Sequence, residues 1–159
     1  MLEFAEQVAE TLDIGPGTEV FEVACGAGDF LIPLHDNGYL VGGLEANPAL
    51  VDAAREAMPG GRFTNRPPAE LDPAQPWHVV VCRAFGTFPD VDYARGVLAR
   101  MAAKATHAVA VLEVPEGRYD RRWMLRALAE VGVSAVQMEE VRVAADNPTE
   151  ARYNVFARL

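Results

Sequence analysis

The sequence predicts an α/β fold: a doubly wound, mostly parallel seven-stranded sheet with an antiparallel hairpin at its C-terminal edge. Three observations lead there. Short apolar, β-branched runs alternate with amphipathic stretches along most of the chain, the pattern of parallel strands joined by crossover helices. The last two extended segments come in succession, with the turn signal Asp146-Asn147-Pro148 between them. Finally, the first strand runs into a glycine turn that opens a helix, where open sheets of this kind bind ligands.

Each element has its own signal. Leu2–Leu12 has the apolar spacing of an amphipathic helix and is stopped by Gly15-Pro16-Gly17. The first strand is read at Glu19–Ala24 and a helix at Asp29–Asn37, with Gly38 as the left-handed residue that ends it. Tyr39–Leu44 is the second strand. Asn47-Pro48 opens a helix to about Met58, with Asn as cap and Pro at the first helical position. A short third strand is expected at Arg62–Asn65, and Pro67, Pro68, Pro73 and Pro76 make the following segment a loop. His78-Val79-Val80-Val81-Cys82 is an unbroken run suited to a strand buried on both faces. A helix over Val91–Ala103, a fifth strand at His107–Glu113 and a helix over Tyr119–Val131, closed by Gly132, follow. Ser134–Val143 and Arg152–Leu159 form the hairpin.

The chain reads as one domain over its 159 residues, residues 1–15 supplying an N-terminal helix and 17–159 the core. A formal net charge of −9 argues against a nucleic-acid partner, because counterion release needs a basic stripe. Arg118, Arg121, Arg122 and Arg126 cluster, but acids flank them, as on a solvated helix face. No CxxC pair exists and His35, His78 and His107 are scattered, so no metal site is expected. Two thiols at the ends of apolar runs suit a reducing compartment. With no basic leader and no long apolar run, no membrane partner is expected and the cytoplasm is the expected location.

The chemistry concentrates at Glu22-Val23-Ala24-Cys25-Gly26-Ala27-Gly28-Asp29-Phe30. Glycine lacks the Cβ that would hold a ligand away from the backbone, and the helix behind it adds unpaired N–H groups. A dinucleotide fingerprint needs a third small residue where this chain has Leu31, and Asp29 would repel a pyrophosphate. A nicotinamide oxidoreductase is therefore disfavoured.

Glu22 followed by Ala24-Cys25-Gly26-Ala27-Gly28 resembles the first motif of the class I S-adenosylmethionine-dependent methyltransferases, an acid followed by G/A-x-G-x-G. Gly42-Gly43-Leu44-Glu45-Ala46-Asn47-Pro48 resembles their second, an acid ending strand two before a helix. The likeness extends through strand four, strand five and the hairpin, and implies a Rossmann-like fold with S-adenosylmethionine as cofactor. It implies that Glu45 accepts both ribose hydroxyls and that the Gly26–Gly28 backbone passes under the methionine portion. Glu22, the Ala24 carbonyl and the Arg83 backbone would surround the ammonium. Ala46 would pack on the adenine, with the Ala69-Glu70-Leu71 backbone at its edge. Cys25 completes the cofactor-binding set within the turn; as a side chain it reads as a buried small apolar residue, without a base to make it a nucleophile. The plain alternatives are a solvated strand-end acid for Glu45 and a helix-dipole partner for Glu22.

The chain departs from the family pattern in two places. Arg66-Pro67-Pro68 stands where many members carry an adenine-binding acid, and His78 begins strand four where many have Asp. Adenine contacts then fall to backbone or Glu70, and His78 reads as a surface or hinge residue.

For the reaction, alignment of acceptor and methyl group is the main requirement, and a base is needed only for a protonated acceptor. Glu113 and Arg83 are the catalytic candidates near the strand ends, with Glu116 and Tyr119 beside them and His35 more remote. Phe85, Phe88 and Tyr93 read either as an aromatic wall for a planar acceptor or as core. The chain is lean, which leaves the acceptor site open, completed by the second subunit of a homodimer, or closed by the substrate itself. The expected function is methylation of O or N on a small-molecule acceptor. The alternative is a non-methylating member of the fold, a cyclase or a binding module.

Overall fold

The computed structural model describes residues 1–141 and 150–159. Helix α1 (Leu2–Leu12) leads into β1 (Glu19–Val23), α2 (Leu31–Asp36), β2 (Leu40–Glu45), α3 (Pro48–Ala57) and β3 (Arg62–Asn65). Then come β4 (Trp77–Cys82), α4 (Val91–Lys104), β5 (Ala105–Pro115), α5 (Arg121–Glu130), β6 (Ala135–Val141) and β7 (Arg152–Arg158). The strands form one sheet in the order β3-β2-β1-β4-β5-β7-β6. The first five are parallel, and β7 runs antiparallel between β5 and β6. The expected α/β architecture and edge hairpin are therefore present. The Asp146-Asn147-Pro148 turn and the last two residues of the expected Ser134–Val143 strand lie outside the described residues.

Local chemistry accounts for the element ends. The Asn47 side chain accepts from the Ala49 N–H and Pro48 starts α3. Asp90 and Asp120 cap α4 and α5 by accepting from the N–H groups of Tyr93 and Trp123. The Asp120 cap starts α5 at Arg121, two residues later than Tyr119. Strand β1 ends at Val23, because Ala24, expected within the strand, takes the left-handed conformation at φ 57°. Helix α2 begins at Leu31 instead of Asp29, since Gly26 and Gly28 (φ 56° and 93°) keep the chain turning until there.

The sheet buries side chains on both faces. Phe21, Val23, Val80 and Val111 pack under α4 and α5, while Val20, Val41, Val81 and Leu112 pack under α1, α2 and α3. Helix α1 is held at its end by Arg158, which donates to the Thr11 carbonyl at 2.6 Å. Among the described residues no helix is long and apolar enough to cross a membrane, and no group of three potential ligands could hold a metal ion.

Candidate active site

Register builds the site. Val23, Leu44 and Cys82 stand level on β1, β2 and β4, so the next residues, Ala24, Glu45 and Arg83, emerge side by side at the carboxyl edge of the sheet. Strand order reverses between β1 and β4, the crevice where open α/β sheets take ligands.

Glu45 organises one half. Its Oε2 accepts from the Gly26 N–H at 3.0 Å and its Oε1 from the Asn47 N–H at 2.8 Å. One carboxylate thus ties the glycine turn to the cap of α3, although Glu45 stays partly exposed at the strand end. Asn65, which the sequence reading passed over, donates to the carbonyls of Glu45 and Ala46 at 2.9 Å each and fixes the β2–α3 turn from the neighbouring strand. A Cβ on Gly26 would meet nothing within 4 Å, so the turn opens onto free space. A Cβ on Gly28 would strike the flexible end of Met58 just after α3, and its φ of 93° is one that glycine adopts freely.

Glu22 and Arg83 form the other half. Glu22 is fully buried; its Oε1 accepts from Arg83 Nε at 3.0 Å, while its Oε2 has no partner among the described residues. Burial is the main reason its carboxyl rises from the usual 4.5 to about 7, against the pull of the Arg83 guanidinium. The Arg83 side chain also reaches Glu113, with Nη1 at 4.0 Å from Oε2. The helix-dipole reading of Glu22 gives way to this buried pair, which joins residues 61 positions apart.

Glu113 is not a simple loop acid. It adopts φ 55° where the β5–β7 register shifts between Val111 and Val114. Its N–H donates to Oδ1 of the buried Asn154 at 2.9 Å, and its carboxylate lies 4.0 Å from both Arg83 and Arg152. A non-glycine residue held left-handed at a register shift within a strand needs surroundings that over-determine it, and Asn154 provides a bond to its backbone.

Several expected positions fall elsewhere. Phe85 and Phe88 are buried in the core and form no wall. Tyr93 faces the β3–β4 loop, its hydroxyl accepting from the Ala69 N–H at 3.2 Å. Glu70 and Leu71 N–H groups are spent on Pro67 and Pro68 carbonyls, because a short 3₁₀ turn forms at Pro68–Glu70 within the expected loop. That loop edge therefore offers carbonyls and the Glu70 carboxylate, with no free N–H. Tyr119 is fully buried and packed edge-on to Phe85, and Glu116 pairs with Arg121 at 3.3 Å. His35 contacts the Pro59 carbonyl, and His78 stacks on His107 at 4.6 Å; both belong to the opposite edge of the sheet. Cys25 and Cys82 are free and buried, and desolvation pushes both thiols up to about 12. Neither is a nucleophile at neutral pH. Arg118 donates to the carbonyls of Gly86 (3.3 Å) and Pro89 (2.7 Å), clasping the loop after β4 to the one after β5.

No family model and no curated protein sequence matches the chain. Solved structures do. A magnesium protoporphyrin IX methyltransferase from Synechocystis, with bound S-adenosylmethionine, aligns with a TM-score of 0.78 at 20% identity over 99% of this chain and 79% of its own. CalS10, an amino pentose methyltransferase from Micromonospora echinaspora, gives 0.76 at 18% identity over 99% and 91%. A TehB-like methyltransferase from Corynebacterium glutamicum gives 0.74 at 17% over 98% and 88%. The sheet order, the glycine turn and the two strand-end acids thus belong to a chain with the fold of the class I S-adenosylmethionine-dependent methyltransferases.

Proposed function

We propose that this protein is an S-adenosylmethionine-dependent methyltransferase acting on O or N of a small-molecule acceptor. One observation carries the reading: a fully buried carboxylate oxygen of Glu22, unpartnered among the described residues, lies on the same sheet edge as a Glu45 carboxylate pinned by two backbone N–H groups. A buried acceptor with no donor is costly unless a ligand satisfies it. The cofactor brings an ammonium and a ribose diol, which are donors; a phosphate ligand would bring only more acceptors. The residues therefore fit the group.

Glu45 would hold the ribose with the lone pairs its backbone donors leave free. Glu22 would meet the ammonium, with the Ala24 carbonyl and the Arg83 backbone beside it, and the open face of Gly26 would admit the methionine portion. Ala46 and the Ala69–Glu70 carbonyls would border the adenine, with Tyr93 fixing that loop. When bound, S-adenosylmethionine supplies a methyl group already activated by the sulfonium. The chain's own contribution is alignment and exclusion of water. Glu113 and Arg83 face the acceptor side, where Glu113 can orient a donor group or take its proton.

Calorimetry with S-adenosylmethionine and its demethylated product tests the cofactor assignment; no heat with either at millimolar concentration refutes it. Turnover to the demethylated product with a pool of small-molecule acceptors then separates an enzyme from a binder. A protein that binds but never turns over supports the non-methylating alternative.

A further inference from the structure

The β3–β4 connection must cross the sheet over β2 and β1, and it does so without a helix. Four prolines deny it backbone donors, and it forms only the 3₁₀ turn at Pro68–Glu70. A cavity of about 310 Å³ remains beside α4, over sheet side chains that are themselves largely buried. Its apolar lining is Phe21, Leu44, Phe63, Leu71 and Trp77. Arg62, Arg66 and Lys104 bring positive charge to it, and Glu70 and Asp72 negative. That volume lies within the roughly 300–1,000 Å³ range of small-molecule sites.

Lys104 is the informative residue. It is 4% exposed, and its Nζ donates to the carbonyls of Asp72 (2.6 Å) and Gln75 (2.8 Å), 5.0 Å from the Phe21 ring. Among the described residues no carboxylate lies within 4.0 Å of it. Burial lowers its pKa, the mark of a cation short of solvation. The Asp72 carboxylate attracts it from beyond 4.0 Å, but burial outweighs that attraction. Arg66 opens on the same cavity and makes no ion pair among the described residues. Arg62, by contrast, is spent: it stacks on Trp77 at 4.2 Å and pairs with Glu19 at 2.8 Å. Of the two acids in the lining, Asp72 turns its Oδ1 to the Ala74 N–H at 2.8 Å, and Glu70 is exposed at the rim.

We infer that this cavity is a second binding site, for a planar aromatic monocarboxylate. The ring lies along Phe21, Leu44 and Trp77, and the carboxylate meets Lys104 and Arg66. A single negative charge matches Lys104, the one buried cation among the described residues, whose burial Asp72 offsets only in part from beyond 4.0 Å; a dianionic phosphate would be repelled by Glu70 and Asp72. The cavity shares Arg66, Glu70 and Leu71 with the segment bordering the proposed cofactor cleft, and none of Glu22, Gly26, Glu45 or Arg83 lines it. Its ligand is therefore additional to both substrates, and the inference stands independently of the methyltransferase reading.

The test uses 2-naphthoate as probe and its neutral amide as control, on the full chain. The two tryptophans, Trp77 and Trp123, give separate indole signals in a nitrogen–proton correlation spectrum. Naphthoate is expected to shift the Trp77 signal saturably and leave Trp123 in place, and the amide should bind about tenfold or more weakly, as loss of a charge-assisted contact implies. Arg66→Ala should weaken naphthoate about fivefold and leave the amide unchanged. Lys104→Met should abolish the preference for the anion; should that variant not fold, the charge reversal Arg66→Glu at an exposed position serves the same purpose. Saturating S-adenosylmethionine should not displace the probe. No Trp77 shift at millimolar naphthoate, equal affinity for the amide, or displacement by S-adenosylmethionine overturns the inference.

Discussion

Glu22 makes pH a direct probe of the site. Its carboxyl titrates near 7 in the folded chain, chiefly from burial, and near 4.5 when unfolded. Below 4.5 both states hold the proton. Between 4.5 and 7 only the folded state holds it, so stability falls as pH rises across that window and levels off above 7. At 1.36 kcal/mol per tenfold change in proton affinity, the whole window corresponds to about 3 kcal/mol, a figure that already contains the attraction of Arg83. Glu22→Gln removes the titration and little volume. Denaturant unfolding at intervals from pH 4.5 to 8 should show the variant close to wild type at the acid end and more stable by up to about 3 kcal/mol above pH 7. Parallel curves would refute the reasoning. The same group should govern the ligand: S-adenosylmethionine affinity should fall by up to about tenfold per pH unit below 7 in wild type and stay weak and flat in Glu22→Gln. Its truncated relative 5′-methylthioadenosine, which lacks the ammonium, should show neither effect; a matching pH dependence would exclude Glu22 as the ammonium's partner.

Glu45→Ala should cost about 1–3 kcal/mol of cofactor binding by calorimetry, the scale of lost hydrogen bonds to a charged group, and unchanged affinity would dismiss the ribose role. Glu113→Gly should raise stability by about 0.5–1 kcal/mol in denaturant titration, because glycine adopts φ 55° freely, while turnover declines; a less stable variant would mean that residue 113 is not strained. Gly28→Ala should destabilise by about 1–3 kcal/mol, since the new methyl meets Met58 at a φ of 93°, and a thermal melt like wild type would contradict the packing account. Tyr93→Phe should weaken S-adenosylmethionine and 5′-methylthioadenosine alike, by about 1 kcal/mol, if its hydroxyl holds the adenine-side loop; a loss confined to S-adenosylmethionine would place Tyr93 elsewhere.

What was legible in the sequence follows the range of the forces involved. The Asn47-Pro48 start of α3, the left-handed Gly38 and Gly132, and the unbroken β-branched run of β4 are decided within a few residues, and each stands where the pattern puts it. Parallel order followed by a hairpin came from the alternation of periods alone. Glu45 and the glycine turn could be read as a pair only through a resemblance, yet the bond between them, Gly26 N–H to Glu45, is a consequence of register that no local pattern displays. The aromatic wall failed for a related reason: Phe85 and Phe88 follow a strand end, and composition cannot say whether the chain turns them inward.

Charge pairing lies furthest from local reading, and it carries most of the chemistry proposed for this site. Glu22, Arg83, Glu113 and Arg152 come from four strands or strand ends and form an alternating chain of charge along the carboxyl edge. Only the first of them is fully buried. Removing Arg83 would leave Glu22 to escape by binding a proton, so the pair's coupling should appear in the pH at which cofactor affinity changes before it appears in stability. Arg83 is then a positioning residue whose guanidinium holds the buried acid down to about 7 against the pull of burial, so that its charged form is within reach at neutral pH. Its contact with Glu113 extends that influence toward the proposed acceptor side.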